Sequence, residues 1–174
     1  MSSVPDGLTI ERNRDLEGLD KRPWTRRALV VLLCVPLALA LLNVFGQRPQ
    51  TTEESVGDAS LSIYAPERVR GGLNYEARFH IVAHSDLADA RLVLDSNWAE
   101  GITINTIEPS PIGEGSHDGK LVLELGHVPR GEKYVLYIQS QVNPTNVGRR
   151  SQDVSLYDGK RLISTIDRRV TIFP

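Results

Sequence analysis

Thiols are nearly absent from this chain. Of its 174 residues one is cysteine, Cys34, so no intramolecular disulfide can form and nothing after residue 34 carries a thiol. That permits an oxidising compartment without requiring one. Charge of one sign is absent as well: 20 Lys and Arg face 22 Asp and Glu, and from Ala59 onward the count is 13 against 14. A nucleic-acid-binding domain shows a basic excess, so no nucleic-acid partner is expected. Catalytic signatures are also lacking. There is no Gly-x-Ser-x-Gly elbow, and the acids are scattered. The four histidines, His80, His84, His117 and His127, are joined to no cysteine or carboxylate at ligand spacing. His80 and His84 would stand about 13 Å apart along one strand, too far to share an ion. The expectation is therefore no metal, no cofactor and no enzyme.

One long apolar run is present. From Ala28 to Phe45 there are 18 residues without a charge, broken in character only by Pro36 and Asn43. A helix of that length covers about 27 Å, close to the hydrocarbon thickness of a bilayer, and proline is tolerated in a membrane-spanning helix. An export leader has an apolar core of about 7–15 residues that ends at a small-x-small site. "ALA" at 38–40 matches such a site, but "LLNVF" then prolongs the apolar run. "TRRALVV" also fits a twin-arginine signal, although two arginines equally suit any inward-facing flank. "VLLC" at 31–34 is a poor lipoprotein signal, because Leu33 is bulky where a small residue is needed. A retained anchor is preferred. Arg12, Arg14, Lys21, Arg22, Arg26 and Arg27 precede the run, and Arg48 alone follows it closely. Basic excess stays on the cytoplasmic side, and Trp24 suits the headgroup layer. The predicted membrane flank is Trp24, Arg26 and Arg27, with the N-terminus in the cytoplasm and the C-terminal part outside.

Four segments follow from this. Residues 1–27 are a cytoplasmic tail, largely disordered in composition, with "LTIERNRDLEGLD" able to form one or two amphipathic turns. Residues 28–46 are the transmembrane helix. Residues 47–58, rich in Gln, Thr, Glu and Pro, are a stalk reaching at most about 40 Å. Residues 59–174 form the outer domain, where the apolar period changes to two. In "LNYEARFHIVAH" Leu73, Tyr75, Ala77, Phe79, Ile81 and Ala83 alternate with polar residues, the pattern of a half-buried strand. Further strands are predicted at 60–66, 90–96, 101–109, 120–128, 133–142, 149–156 and 160–173. Seven or eight short strands separated by turn residues predict an all-β antiparallel sandwich. For the last hairpin, a three-residue loop Tyr157-Asp158-Gly159 is preferred. It pairs Leu156 with Lys160 and Val154 with Leu162, so that Val154, Leu156, Leu162 and Ile166 share a face with Arg149 opposite Asp167.

"SIYAPERVRGGLNYEARFHIVAHSDLADARLVLD" resembles the opening of the Ig-like conserved-repeat domains of bacterial surface and envelope proteins, and "KLVLELGHVPRGEKYVLYIQSQV" is similar to their later part. The resemblance covers residues 60–142. The chain departs from the pattern at "SNWAEGITINTIEPSP", where a Pro-Gly turn is expected, and in its extra C-terminal hairpin. What the resemblance implies is an Ig-like sandwich of the kind that serves as a spacer or interaction module.

Candidate partner-binding residues are few. Trp98, in "DSNWAEG", either caps the core or contacts a partner. Arg149, Arg150, Arg168 and Arg169 would meet across the final hairpin as a small basic patch, or stand as solvated pairs. The resulting expectation is a non-catalytic, single-pass protein of the cell membrane. Its sandwich binds or positions a membrane or envelope protein, and its remaining partner is the bilayer itself. The alternative is an exported domain, cleaved after Ala40, that binds a ligand or glycan.

Overall fold

The computed structural model describes residues 22–44 and 46–174, which fall into two compact units. The first unit is α1, Arg22–Leu41. Pro23 sits in its first turn, where the missing N–H costs nothing. Its apolar window, Pro23–Leu41, has a mean hydropathy of 1.7, and none of it is buried by protein. The helix thus begins six residues before the predicted span and ends before residue 46. Asn43 terminates it by adopting a left-handed φ of 53°. Its N–H reaches the Ala40 carbonyl at 2.9 Å and the Val44 N–H reaches Leu39 at 3.0 Å, which satisfies carbonyls that the last turn would otherwise leave open. Arg27 stacks its guanidinium 5.6 Å from the Trp24 ring centroid. Most of the predicted cytoplasmic tail, residues 1–21 with its amphipathic turns, lies outside the described residues.

The second unit is a sandwich of thirteen strands among the described residues. They are β1 (Pro49–Val56), β2 (Ala59–Pro66), β3 (Arg68–Arg70), β4 (Asn74–Ala83), β5 (Leu87–Leu94), β6 (Ile102–Glu108), β7 (Gly113–His117), β8 (Lys120–Val128), β9 (Lys133–Val142), β10 (Gly148–Ser151), β11 (Val154–Asp158), β12 (Arg161–Ile166) and β13 (Arg169–Phe173). Two five-stranded sheets, β1-β2-β4-β9-β6 and β12-β11-β5-β8-β7, form the layers, and β10-β13-β3 forms a small third sheet. Every pairing is antiparallel except β13 with β3. This is the all-β sandwich that the period-two pattern predicts.

The core follows the alternation. Tyr75, Ala77, Phe79, Ile81 and Ala83 of β4 are buried, as are Leu61 and Ile63 of β2, Leu136 and Ile138 of β9, Leu92 and Leu94 of β5, Leu123 of β8 and Leu156 of β11. All belong to one hydrophobic cluster drawn from every layer. Each of the Leu, Ile and Phe side chains among them contributes about 1.5–3 kcal/mol relative to exposure. Leu73, grouped with the inner residues by the sequence pattern, lies before β4 and is exposed.

Three expectations are corrected here. Residues 49–56, taken as stalk, are the edge strand β1, paired residue for residue with β2 from Pro49↔Pro66 to Val56↔Ala59. Its side chains are almost all exposed, so no apolar alternation marks it; backbone pairing with β2 recruits it. Only residues 42–48 then connect helix and sandwich, a reach of at most about 25 Å. The final hairpin turns at Gly159-Lys160, with Asp158↔Arg161, Tyr157↔Leu162, then a bulge, Leu156↔Ser164 and Val154↔Ile166. The bulge lets Val154, Leu156 and Ile166 face inward while Leu162 stays exposed. Asp158 fixes the turn by accepting the Asp89 N–H at 2.9 Å. Arg149 pairs with Thr171, not Asp167, because the segment 160–173 breaks into β12 and β13, which lie in different sheets.

Candidate functional site

A groove of about 720 Å³ lies on the outer face of the β12-β11-β5-β8-β7 sheet. Register explains its shape. One row runs across all five strands as Thr165, Ser155, Val93, Val122 and Gly115. Val93 and Val122 make an apolar floor. Gly115 puts no side chain at the end of the row, and the space a Cβ would take there is open. Ser155 and Thr165 hydroxyls bond each other at 3.0 Å. The next row brings Tyr157 beside Arg91, whose guanidinium pairs with Asp89 at 2.6 Å.

Two of the groove's three acids, Asp95 and Asp153, are occupied by backbone. Asp95 accepts the Ser96 N–H at 2.8 Å, opening the short 3-10 turn Ser96–Trp98, and Asp153 accepts the Arg168 N–H at 2.9 Å. Lys120 and Lys160 on the rim have no ion pair among the described residues. The result is an apolar floor with a hydrogen-bonding rim of mixed charge, which suits binding. It does not assemble a nucleophile, a base and an orienting acid: Ser155 is tied to Thr165, and His117 stands exposed beside Asp118 at 3.4 Å. No cluster of three metal-ligating side chains occurs among the described residues.

The predicted site residues are dispersed. Trp98 is 1% exposed, its ring 5.4 Å from that of Phe79, so it caps the core and presents nothing to a partner. Arg168 is 5% exposed. Its guanidinium lies 5.6 Å over the Trp98 ring, donates to Gln152 Oε1 at 2.6 Å and donates to the Pro66 carbonyl. Gln152 continues the chain, donating to the Tyr75 hydroxyl at 3.2 Å. Arg168 therefore ties the end of β2 to the segment between β10 and β11, from inside. Burial pushes the Arg168 guanidinium down from its usual range, and burial pushes the Tyr75 phenol up. The other three arginines are exposed, but not as one patch. Arg149 shares a side of the β10-β13 ribbon with Arg169, whereas Arg150 pairs with Val170 on the other. The four arginines do not form one patch, because Arg168 is buried and the two-residue period of a strand puts Arg149 and Arg150 on opposite sides. The sequence reasoning missed the groove. The signal available was the run Arg91, Val93, Asp95 on the non-core side of β5 together with Gly113 and Gly115 in β7.

No protein-family model matches the chain, and no curated protein matches it. Among solved structures it is similar to an enzyme that catalyses macrocyclization in alchivemycin A biosynthesis, at 6% identity and a TM-score of 0.44, covering 74% of this chain and 90% of that one. It is similar to the CARDB domain of a Pyrococcus furiosus protein, at 13% identity and a TM-score of 0.42, covering 73% and 97%. It is also similar to a non-cellulosomal cohesin of Archaeoglobus fulgidus, at 14% identity and a TM-score of 0.41, covering 72% and 92%.

Proposed function

We propose that this is a non-catalytic, single-pass membrane protein whose sandwich is held on the extracytoplasmic side and engages a membrane or envelope protein through the β5-β8-β11 groove. The observation that carries the proposal is the groove itself, a valine floor and polar rim that nothing else in the sandwich covers. The unburied apolar helix supports the anchor, and the arginines at its start support an inward-facing N-terminus. With β1 paired to β2, the tether is short, so the partner lies close to the bilayer. The Ig-like repeat resemblance of residues 60–142 agrees with an interaction module.

A photo-crosslinking side chain at Val93 or Tyr157, introduced in living cells, is expected to give one discrete adduct, with none from the same probe at Arg150. No adduct from either groove position, with the protein present in membranes, would overturn the groove as the contact face.

A further inference from the structure

A second surface carries different chemistry. On the outer face of the β1-β2-β4-β9-β6 sheet, one cross-strand row reads Thr51, Tyr64, Arg78, Tyr137, Glu108. The Arg78 guanidinium lies 5.5 Å from the Tyr64 ring centroid and 5.6 Å from that of Tyr137, and its Nε donates to Glu76 at 2.5 Å. Both rings are held by this central cation, yet they remain 37% and 39% exposed. The tyrosines stand on β2 and β9, two strands apart, which sets them roughly 9.5 Å from each other.

Polar groups continue from this row. Glu76 pairs with Gln139 in the adjacent row of the same face, and beyond it lies a recess of about 300 Å³ lined by Gln47, Asn74, Glu76, Asn105 and Gln139. Arg78 neutralises Glu76, and the exposed carboxylate of Glu108 closes the row, so the surface does not attract phosphate. What it offers is two part-exposed tyrosine rings, followed by amides that donate and accept hydrogen bonds and a carboxylate that accepts them.

We propose that this face binds a neutral, extended polysaccharide of equatorially linked hexoses, with Tyr64 and Tyr137 stacking on alternate sugar rings and Gln139, Asn74 and Asn105 bonding their hydroxyls. Alternate rings of such a chain present the same apolar C–H face at about the spacing of the two tyrosines. Because Arg78 fixes the rings before the ligand arrives, little side-chain entropy is lost on binding. The biological use rests on the extracytoplasmic placement proposed above, but the binding itself does not.

The test uses the full-length protein in a detergent without a sugar headgroup, co-sedimented with insoluble chitin and, separately, cellulose. Retention on either is expected, and the pair distinguishes an acetamido-sugar from a plain glucan. Tyr64→Ala and Tyr137→Ala are each expected to weaken retention about tenfold, with Tyr64→Phe/Tyr137→Phe retained, Gln139→Ala weakened and Arg150→Ala unchanged. Circular dichroism checks that each variant is folded, and Gln139→Ala carries the test should an alanine at either tyrosine unfold the sheet. Wild-type protein that sediments with neither polysaccharide would overturn the proposal, as would equal retention of Gln139→Ala and both alanine variants. Either failure leaves the groove crosslinking result untouched.

Discussion

Arg168→Ala gives the sharpest test of the interior. Removing the guanidinium leaves the Gln152 Oε1 and the Pro66 carbonyl without their donor, at about 1–3 kcal/mol for each buried acceptor. The contact with the Trp98 face, worth about 0.5–2 kcal/mol, is lost as well. Against this stands a gain, since no carboxylate touches the guanidinium among the described residues and its burial is therefore costly. The net expectation is a loss of about 2–5 kcal/mol from a domain whose total stability is on the order of 5–15 kcal/mol. Arg149→Ala, Arg150→Ala and Arg169→Ala, all at exposed positions, should each stay within about 0.5 kcal/mol of wild type. Urea unfolding of the full-length protein in detergent reads the difference, using Trp98 fluorescence over a constant Trp24 background. An Arg168→Ala midpoint indistinguishable from that of Arg149→Ala would refute the buried network.

Gly101→Ala should cost about 2–3 kcal/mol, because φ is +69° there and a Cβ would lie 2.7 Å from the Asn146 Nδ2 that bonds the Gly101 carbonyl; unchanged thermal unfolding would contradict this. Burial, then Lys133 and Arg78, lower the His80 pKa below its usual 6.5. The unfolded chain thus binds this proton more readily, so the associated stability is present above pH 6.5 and is lost as pH falls through the folded value. The stability curve of His80→Gln should be flatter across that window, as read by denaturant titration at several pH values. Amide exchange of residues 49–56 should be slower than that of a free linker and faster than that of β4, because β1 is an edge strand paired only to β2. Exchange at the free-linker rate would restore the stalk.

Legibility in the sequence tracked side-chain burial. β2, β4, β8 and β9 were readable almost to the residue, and the apolar helix to within six residues at each end. β1 and β7 were not, since both are edge strands with exposed side chains and their order comes from backbone pairing that leaves no apolar trace. The bulge at Leu156/Tyr157 defeated the hairpin register, because a bulge changes the face of every later residue while the composition stays the same. Arg168 looked like half of a surface pair with Arg169; only the fold reveals Gln152 and Pro66 waiting beneath one of them. The groove and the tyrosine row depend on cross-strand neighbours up to four strands apart. No local pattern encodes such neighbours.

The central claim is that α1 remains part of the mature protein and holds the sandwich to the bilayer. Alkaline extraction of cells producing the protein with a C-terminal tag, followed by N-terminal analysis of the tagged polypeptide, tests it directly. The account predicts tagged protein in the membrane pellet with α1 intact. Tagged protein in the supernatant, beginning at Leu41, would contradict it.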